Sequence, residues 1–367
     1  MSVDIINILN FFEKSFSDIT RQYEWDNSNR QIIVDYGKVK KVALALDPTK
    51  QVIKKAIDKG CELLITHHPL FFGKINSITK GNLLSDKIIV AIQNKLNIAS
   101  YHTNLDLADF SLNDYLAEKL DAQVIDGFIK EGSEKYYKFV VYTPVGYENK
   151  IIEAFDLSGA GQIGNYKKCT FSTIGTGTFE PGNNTKPFIG EHGVFEEVKE
   201  ARIETIVPEK NLSRLVKNVI NAHPYEEVAY DIYPIEISKT YSLGRICKLN
   251  TKTDLKSFIS HISQKLGCAI KYNFLDDNLI FDEFAVVTGS GASLWKHCKQ
   301  KGIKVFLTGD LKHHDALDAK EEGVVILDAG HYSTEKIFME YIQKVLETKF
   351  GIEVITIDEE ESIKIWR

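Results

Sequence analysis

The side chains able to do chemistry in this chain share a context rather than a fixed spacing. His67 and His68 stand side by side in LLITHHPLFF, at the end of an apolar run. His102 and Asp106 lie four apart in YHTNLD, and His331 and Glu335 lie four apart in DAGHYSTEK. Asp310, His313 and His314 fall together in LTGDLKHHDALDA. Imidazole and carboxylate without thiolate suit a divalent cation such as zinc, iron or manganese. A carboxylate can also bridge two cations and hold them about 3.5–4 Å apart, as in two-metal hydrolytic sites. Neighbours in a strand point to opposite faces, so paired imidazoles can serve one site only where a strand ends. Pro69 favours such an exit by biasing His68 to extended backbone. A helical turn after His102 and after His331 would bring each four-spaced pair onto one face.

Each motif alone has a structural alternative. A His–His pair can be satisfied at a buried strand end, and four-spaced pairs are common on helix surfaces. Glu335 can simply favour the start of the helix EKIFMEYIQKVL through the dipole, and His313 and His314 can be solvated. Only their shared placement favours a metal centre, so the elements that place them matter.

In the first third, residues 40–47 (KKVALALD), 61–66 (CELLIT) and 97–102 (NIASYH) read as short strands. Residues 51–60 and 82–96 between them carry helical periodicity. Strand–helix–strand units of this length predict an α/β parallel sheet, with ligands gathering at the strands' carboxyl ends. The last third repeats the plan. Residues 42–66 align without a gap on residues 284–308, pairing Lys59-Gly60 with Lys301-Gly302 and Thr66 with Thr308. Duplicated α/β halves, joined in one sheet, are the expectation.

The middle reads as strand, helix, hairpin, strand, helix, strand, the order of a ferredoxin-like α+β domain. Polar, glycine-containing flanks, DGFIKEGSEK and IEISKTYSLG, suggest boundaries: a discontinuous α/β domain over 1–127 and 238–367, with 128–237 inserted. GAGQIG reads as a tight turn or an anion cradle. In HPYEE (223–227), His223 reads as a helix cap or packing residue, with a further metal motif as the alternative.

A net charge of −6 argues against a general nucleic-acid binder. No apolar run approaches the length of a membrane span, and Met1 to Asn10 is too short and acidic for a secretory signal. Five cysteines without a CxxC suit reduced thiols in the cytoplasm.

Taken together, LLITHHPLFF, YHTNLD, LTGDLKHHDALDA and DAGHYSTEK resemble the Nif-three-like family of dinuclear-metal proteins, whose members are often named type 2 GTP cyclohydrolase I homologues. The middle segment resembles the PII/CutA-like insertion of the family's longer bacterial members. The resemblance implies two divalent metal ions per chain, one on His67 and Asp106, the other on His68 and His331, with Glu335 bridging. It gives His102 and His314 proton-transfer or supporting roles, and it implies a homohexamer with sites facing an internal cavity. The family's tryptophan–aspartate–asparagine is kept at Trp25, Asp26 and Asn27, but Ser28-Asn29-Arg30 replaces the small apolar, glycine-containing stretch that usually follows. Two functions follow: a metal-dependent hydrolase of a nucleotide or related small molecule, or a non-catalytic metal-binding oligomeric scaffold or sensor. No GxxxxGK[ST] phosphate loop is present.

Overall fold

Among the described residues, four strands bury every residue: Leu63–Thr66, Asn97–Ser100, Val305–Thr308 and Val325–Asp328. Strands hidden on both faces are what parallel sheets covered by helices require. The structure, a computed structural model, describes residues 2–16, 21–164 and 166–359. It divides into two compact units, one made of residues 1–131 and 241–367, the other of residues 132–240.

The first unit corrects the expectation of a single sheet, because each half builds its own. The N-terminal half gives five strands in the order Glu353–Thr356, Lys41–Ala45, Leu63–Thr66, Asn97–Ser100, Asn29–Ile32. The first four run parallel and the last is antiparallel. In the C-terminal half, Ile280–Val286, Val305–Thr308 and Val325–Asp328 run parallel, flanked by antiparallel Lys271–Tyr272 and Tyr230–Asp254. Glu353–Thr356 and Asn29–Ile32 form the two edges of the first sheet.

The sheets face each other across one core. Val42, Leu44, Leu63 and Ile65 from the first and Phe284, Val286, Val305 and Leu307 from the second belong to the same apolar cluster. Their strand neighbours Ala43, Ala45 and Leu64 point the other way, into a separate cluster with Val52, Ile53 and Ile88 of the outer helices. The duplicated plan is visible in the helices Lys50–Asp58 and Trp295–Lys301, each closed by a left-handed glycine, Gly60 at φ +69° and Gly302 at φ +71°.

A buried ion pair ties the halves together. Asp114, in the capping box that starts helix Leu112–Lys119, accepts from Arg245 Nε at 2.9 Å and lies 2.7 Å from its Nη2. Arg245 also donates to the carbonyls of Ala108, Ser242 and Gly244. Removing one partner strands a buried charge, so Asp114→Ala is expected to cost about 3–5 kcal/mol. A lower urea midpoint with unchanged slope is the readout; a loss under about 1 kcal/mol would make the pair incidental.

The second unit has the element order βαββαβ. Its sheet runs, in order, Tyr230–Asp254, Ala122–Pro144, Glu196–Pro208, Thr170–Phe179. Helices Glu148–Leu157 and Glu209–Ala222 cover one face through Ile151, Phe155, Leu215 and Val219, packed on Phe139, Val141, Ile203 and Val207. Buried and half-exposed residues alternate along Glu196–Pro208, as in a sheet with one open face. The polar, glycine-containing flanks lie within long strands, Ala122–Pro144 and Tyr230–Asp254. Among the described residues, no helix is long and apolar enough to cross a membrane.

Candidate metal centre

The strand Leu63–Thr66 stops one residue before the paired histidines. The Thr66 hydroxyl donates to the His68 carbonyl at 2.7 Å, and the His68 amide donates to the Leu46 carbonyl at 3.0 Å. This exit from the strand lets both imidazoles serve one site, their rings 5.2 Å apart. His67 is fully buried, with Nδ1 on the Tyr101 carbonyl at 2.9 Å. His68 is partly buried, with Nδ1 on Asp47 Oδ1 at 2.8 Å.

Both four-spaced pairs do lie on helical turns. Thr103–Asp106 follows His102, whose Nδ1 meets Asp26 Oδ1 at 2.8 Å. His331–Glu335 is a short helix in which His331 Nε2 lies 2.9 Å from Glu335 Oε2, while Nδ1 meets Asp310 Oδ2 at 2.8 Å. Glu335 also reaches the paired histidines, with Oε2 3.1 Å from His68 Nε2 and Oε1 3.7 Å from His67 Nε2.

All four imidazoles therefore follow one rule: Nδ1 donates its proton to a fixed acceptor, so the Nε2 lone pair is left for the site. That assignment follows from the acceptors, three carboxylates and a carbonyl. It is the arrangement that orients metal-binding histidines. His68 Nε2 and His331 Nε2 face each other at 3.5 Å, which two lone pairs tolerate only with positive charge between them. In the metal-free chain that charge is a proton. Burial opposes it on His68, but hydrogen bonding to Asp47 and Glu335 outweighs burial and lifts the pKa to about 10. Glu335 raises His331 to about 9 against its burial, with help from Asp310. Burial by itself would raise Glu335, yet His331, His67 and His68 hold it well below the usual carboxylate range.

The residues fit divalent cations. His67 Nε2 and Asp106 Oδ1 are buried without a hydrogen bond, a costly state that a cation relieves. Burial pushes the Asp106 pKa up, which His67 and His102 only partly offset. Two overlapping sets, His67–His68–His102 and His68–His331–Glu335, each bring three donor atoms within 4.8 Å. Asp106 stands outside both sets, coupled electrostatically to His67, His102 and Glu335. Cys61 is buried in the outer cluster and supplies no thiolate.

Of the two expected proton carriers, His102 lies inside the cluster. His314 is exposed at the start of helix His313–Glu321, its ring 5.4 Å from that of His313, and belongs to neither set. His223, the other metal alternative, is spent on backbone atoms of the second unit.

Sequence reading missed the acceptors. Asp47 closes the strand KVALALD and Asp26 sits in the tryptophan–aspartate–asparagine loop; neither had been singled out as part of the site. Ser28, where the chain departs from the family pattern, donates to Asp26 Oδ2 at 2.8 Å and accepts from the His102 amide at 3.1 Å. Arg30 pairs with Glu13 through two bonds of 2.7 and 2.8 Å. Two glycines were also missed. A Cβ on Gly289 would stand 2.0 Å from Glu335 Oε1, and one on Gly309 would stand 2.7 Å from the His331 amide.

Comparison with known proteins identifies the family. Residues 3–362 match the model of the family described as Duf34/NIF3 (NGG1p interacting factor 3). A Bacillus subtilis protein named "GTP cyclohydrolase 1 type 2 homolog" is 36% identical over 359 residues, covering 96% of each chain. A Halalkalibacterium halodurans protein of the same name is 37% identical over 323 residues, or 86% of this chain and 87% of that one. The crystal structure of a Bacillus cereus protein related to NIF3 superposes with a TM-score of 0.84 at 33% identity, covering 100% and 99% of the chains. A Staphylococcus aureus structure follows at 0.76 and 27%, covering 99% of each. The histidine cluster described above is thus the candidate metal centre of a chain that belongs to the DUF34/NIF3 family.

Proposed function

We propose that the protein is a dinuclear metal-dependent hydrolase acting on a nucleotide or related small molecule. One observation carries the reading: Glu335 turns Oε1 toward His67 and Oε2 toward His68 and His331. A carboxylate with one oxygen for each histidine set is suited to bridge two cations. On this reading His67 and Asp106 hold one ion and His68 and His331 the other. Bound there, such a pair supplies a water acidified toward neutral pH as nucleophile.

The chain's own side chains do the rest. Asp47 and Asp310 keep the Nε2 atoms of His68 and His331 aimed inward and raise their basicity. His102, held by Asp26, carries a proton to the leaving group. His314, four residues beyond Asp310, is a second candidate for that transfer. The exposed rings of Trp25 and Phe72 lie 5.8 and 5.9 Å from the His102 ring and offer a flat base a stacking surface. The relatives' shared name suggests a purine nucleotide. Opening its five-membered ring needs water at the ring carbon and a proton at the departing nitrogen.

Elemental analysis of wild type against His67→Ala/His68→Ala, with a screen of nucleotides and phosphoesters, tests this. Two ions per chain should fall to one or none, with hydrolysis lost alongside. Unchanged metal content removes the site. Two bound ions with no hydrolysis of any compound in the screen leave a metal-binding scaffold instead.

A further inference from the structure

The histidine cluster makes no use of the HPYEE segment. His223 donates through Nε2 to the Tyr142 carbonyl at 2.9 Å and accepts at Nδ1 from the Tyr225 amide at 3.1 Å. With both nitrogens spent, its part is to fasten the segment that carries Tyr225 to a cavity of about 330 Å³ within the second unit.

The lining of that cavity is aromatic and acidic. The Tyr225 ring lies 5.9 Å from that of Phe179 and 6.2 Å from that of Phe188. Its hydroxyl is buried against the Glu200 carboxylate. Burial first, and the neighbouring Glu200 carboxylate second, hold that phenol above its ordinary range. Glu200 reaches this position over a glycine: a Cβ on Gly177 would stand 2.1 Å from Glu200 Oε2. Glu226 adds a carboxylate, fixed by the Lys186 amide at 2.7 Å, and among the described residues no lysine or arginine lines the cavity.

Ring faces and carboxylates without a balancing cation attract positive charge and repel phosphate. A bare metal ion is a poor occupant. Among the described residues, the sets of three donors within 4.8 Å belong to the histidine cluster and not to this cavity. An organic cation satisfies every feature at once: its charge meets the rings and Glu200, and its N–H groups meet the carboxylate and the phenol oxygen.

We propose that this cavity is a second binding site, independent of the metal centre, for a small molecule bearing an amine or guanidinium group. Calorimetric titration of the full chain with agmatine, tetramethylammonium and ATP tests it. Agmatine should bind, tetramethylammonium more weakly because it has no N–H donor, and ATP should leave the agmatine isotherm unchanged. Glu200→Gln should weaken agmatine binding about tenfold or more. Tyr225→Phe, which keeps the ring and its packing, should weaken binding by a smaller factor, and metal content should stay at the wild-type level in both variants. No agmatine binding at millimolar concentration, equal affinity in Glu200→Gln, or displacement by ATP would each overturn the proposal. So would a change of oligomeric state in Glu200→Gln without agmatine binding, which would assign the cavity to a contact between copies of the chain.

Discussion

Glu335→Gln should leave a folded protein that has lost its metal and, with it, hydrolysis. The residue is only 5% exposed, and its oxygens face three imidazole nitrogens at 2.9, 3.1 and 3.7 Å. Glutamine keeps the shape but removes the negative charge that holds His68 and His331 protonated in the metal-free chain. The metal-free chain therefore loses a buried ion pair. A pair of cations loses the one side chain that reaches both histidine sets. Bound metal should fall to one ion or none per chain, and turnover should drop on the order of 10³-fold, the scale of removing a built electrostatic stabiliser. Melting in the presence of a chelator should remain one cooperative transition, lowered by the equivalent of about 3–5 kcal/mol. Retention of both ions by the variant would mean that Glu335 is not the bridge.

A methyl group at position 289 should do comparable damage without touching a donor atom. Gly289 has φ +67°, and an added Cβ would lie 2.0 Å from Glu335 Oε1 and 3.5 Å from His331 Cε1. Its backbone cannot retreat, because its amide donates to Thr334 Oγ1 at 2.9 Å and its carbonyl accepts from the Gly309 amide at 2.9 Å. The carboxylate must move instead. Gly289→Ala is expected to weaken metal binding by about 10–100-fold, as displaced supporting groups do. Backbone strain should add a stability loss of about 1–3 kcal/mol. Gly302→Ala is the control: φ is +71°, but nothing lies within 4 Å of the added Cβ. It should lose only about 1 kcal/mol and keep full metal content. Equal metal affinity in the two variants would show that the approach of Gly289 to Glu335 is unimportant.

Much of this arrangement was legible in residue order. Strand-like runs of six to eight residues, with helical periodicity between them, marked the strands now seen at Lys41–Ala45, Leu63–Thr66 and Asn97–Ser100. The aligned Lys-Gly pairs marked two helix ends, because a left-handed C-cap favours glycine wherever it occurs. The placing of His67, His68, His102, His331 and Glu335 at strand ends was readable for the same reason. Where a strand stops, and which side chain comes next, is decided within a window of a few residues.

What the sequence determined on its own, then, was the α/β class, the duplicated plan and the identity of the donor side chains. The tertiary structure alone decided that the halves form two facing sheets, since that depends on which strands pair across long stretches of chain. It alone decided which imidazole nitrogen faces the site. His68 and His331 are each oriented by an aspartate 21 residues away, and His102 by one 76 residues away. It also separated His102, inside the cluster, from His314, exposed outside it. Strand and helix periods are local properties of the chain, whereas a hydrogen-bond acceptor or a glycine pressed against a carboxylate becomes a neighbour only after the core has closed.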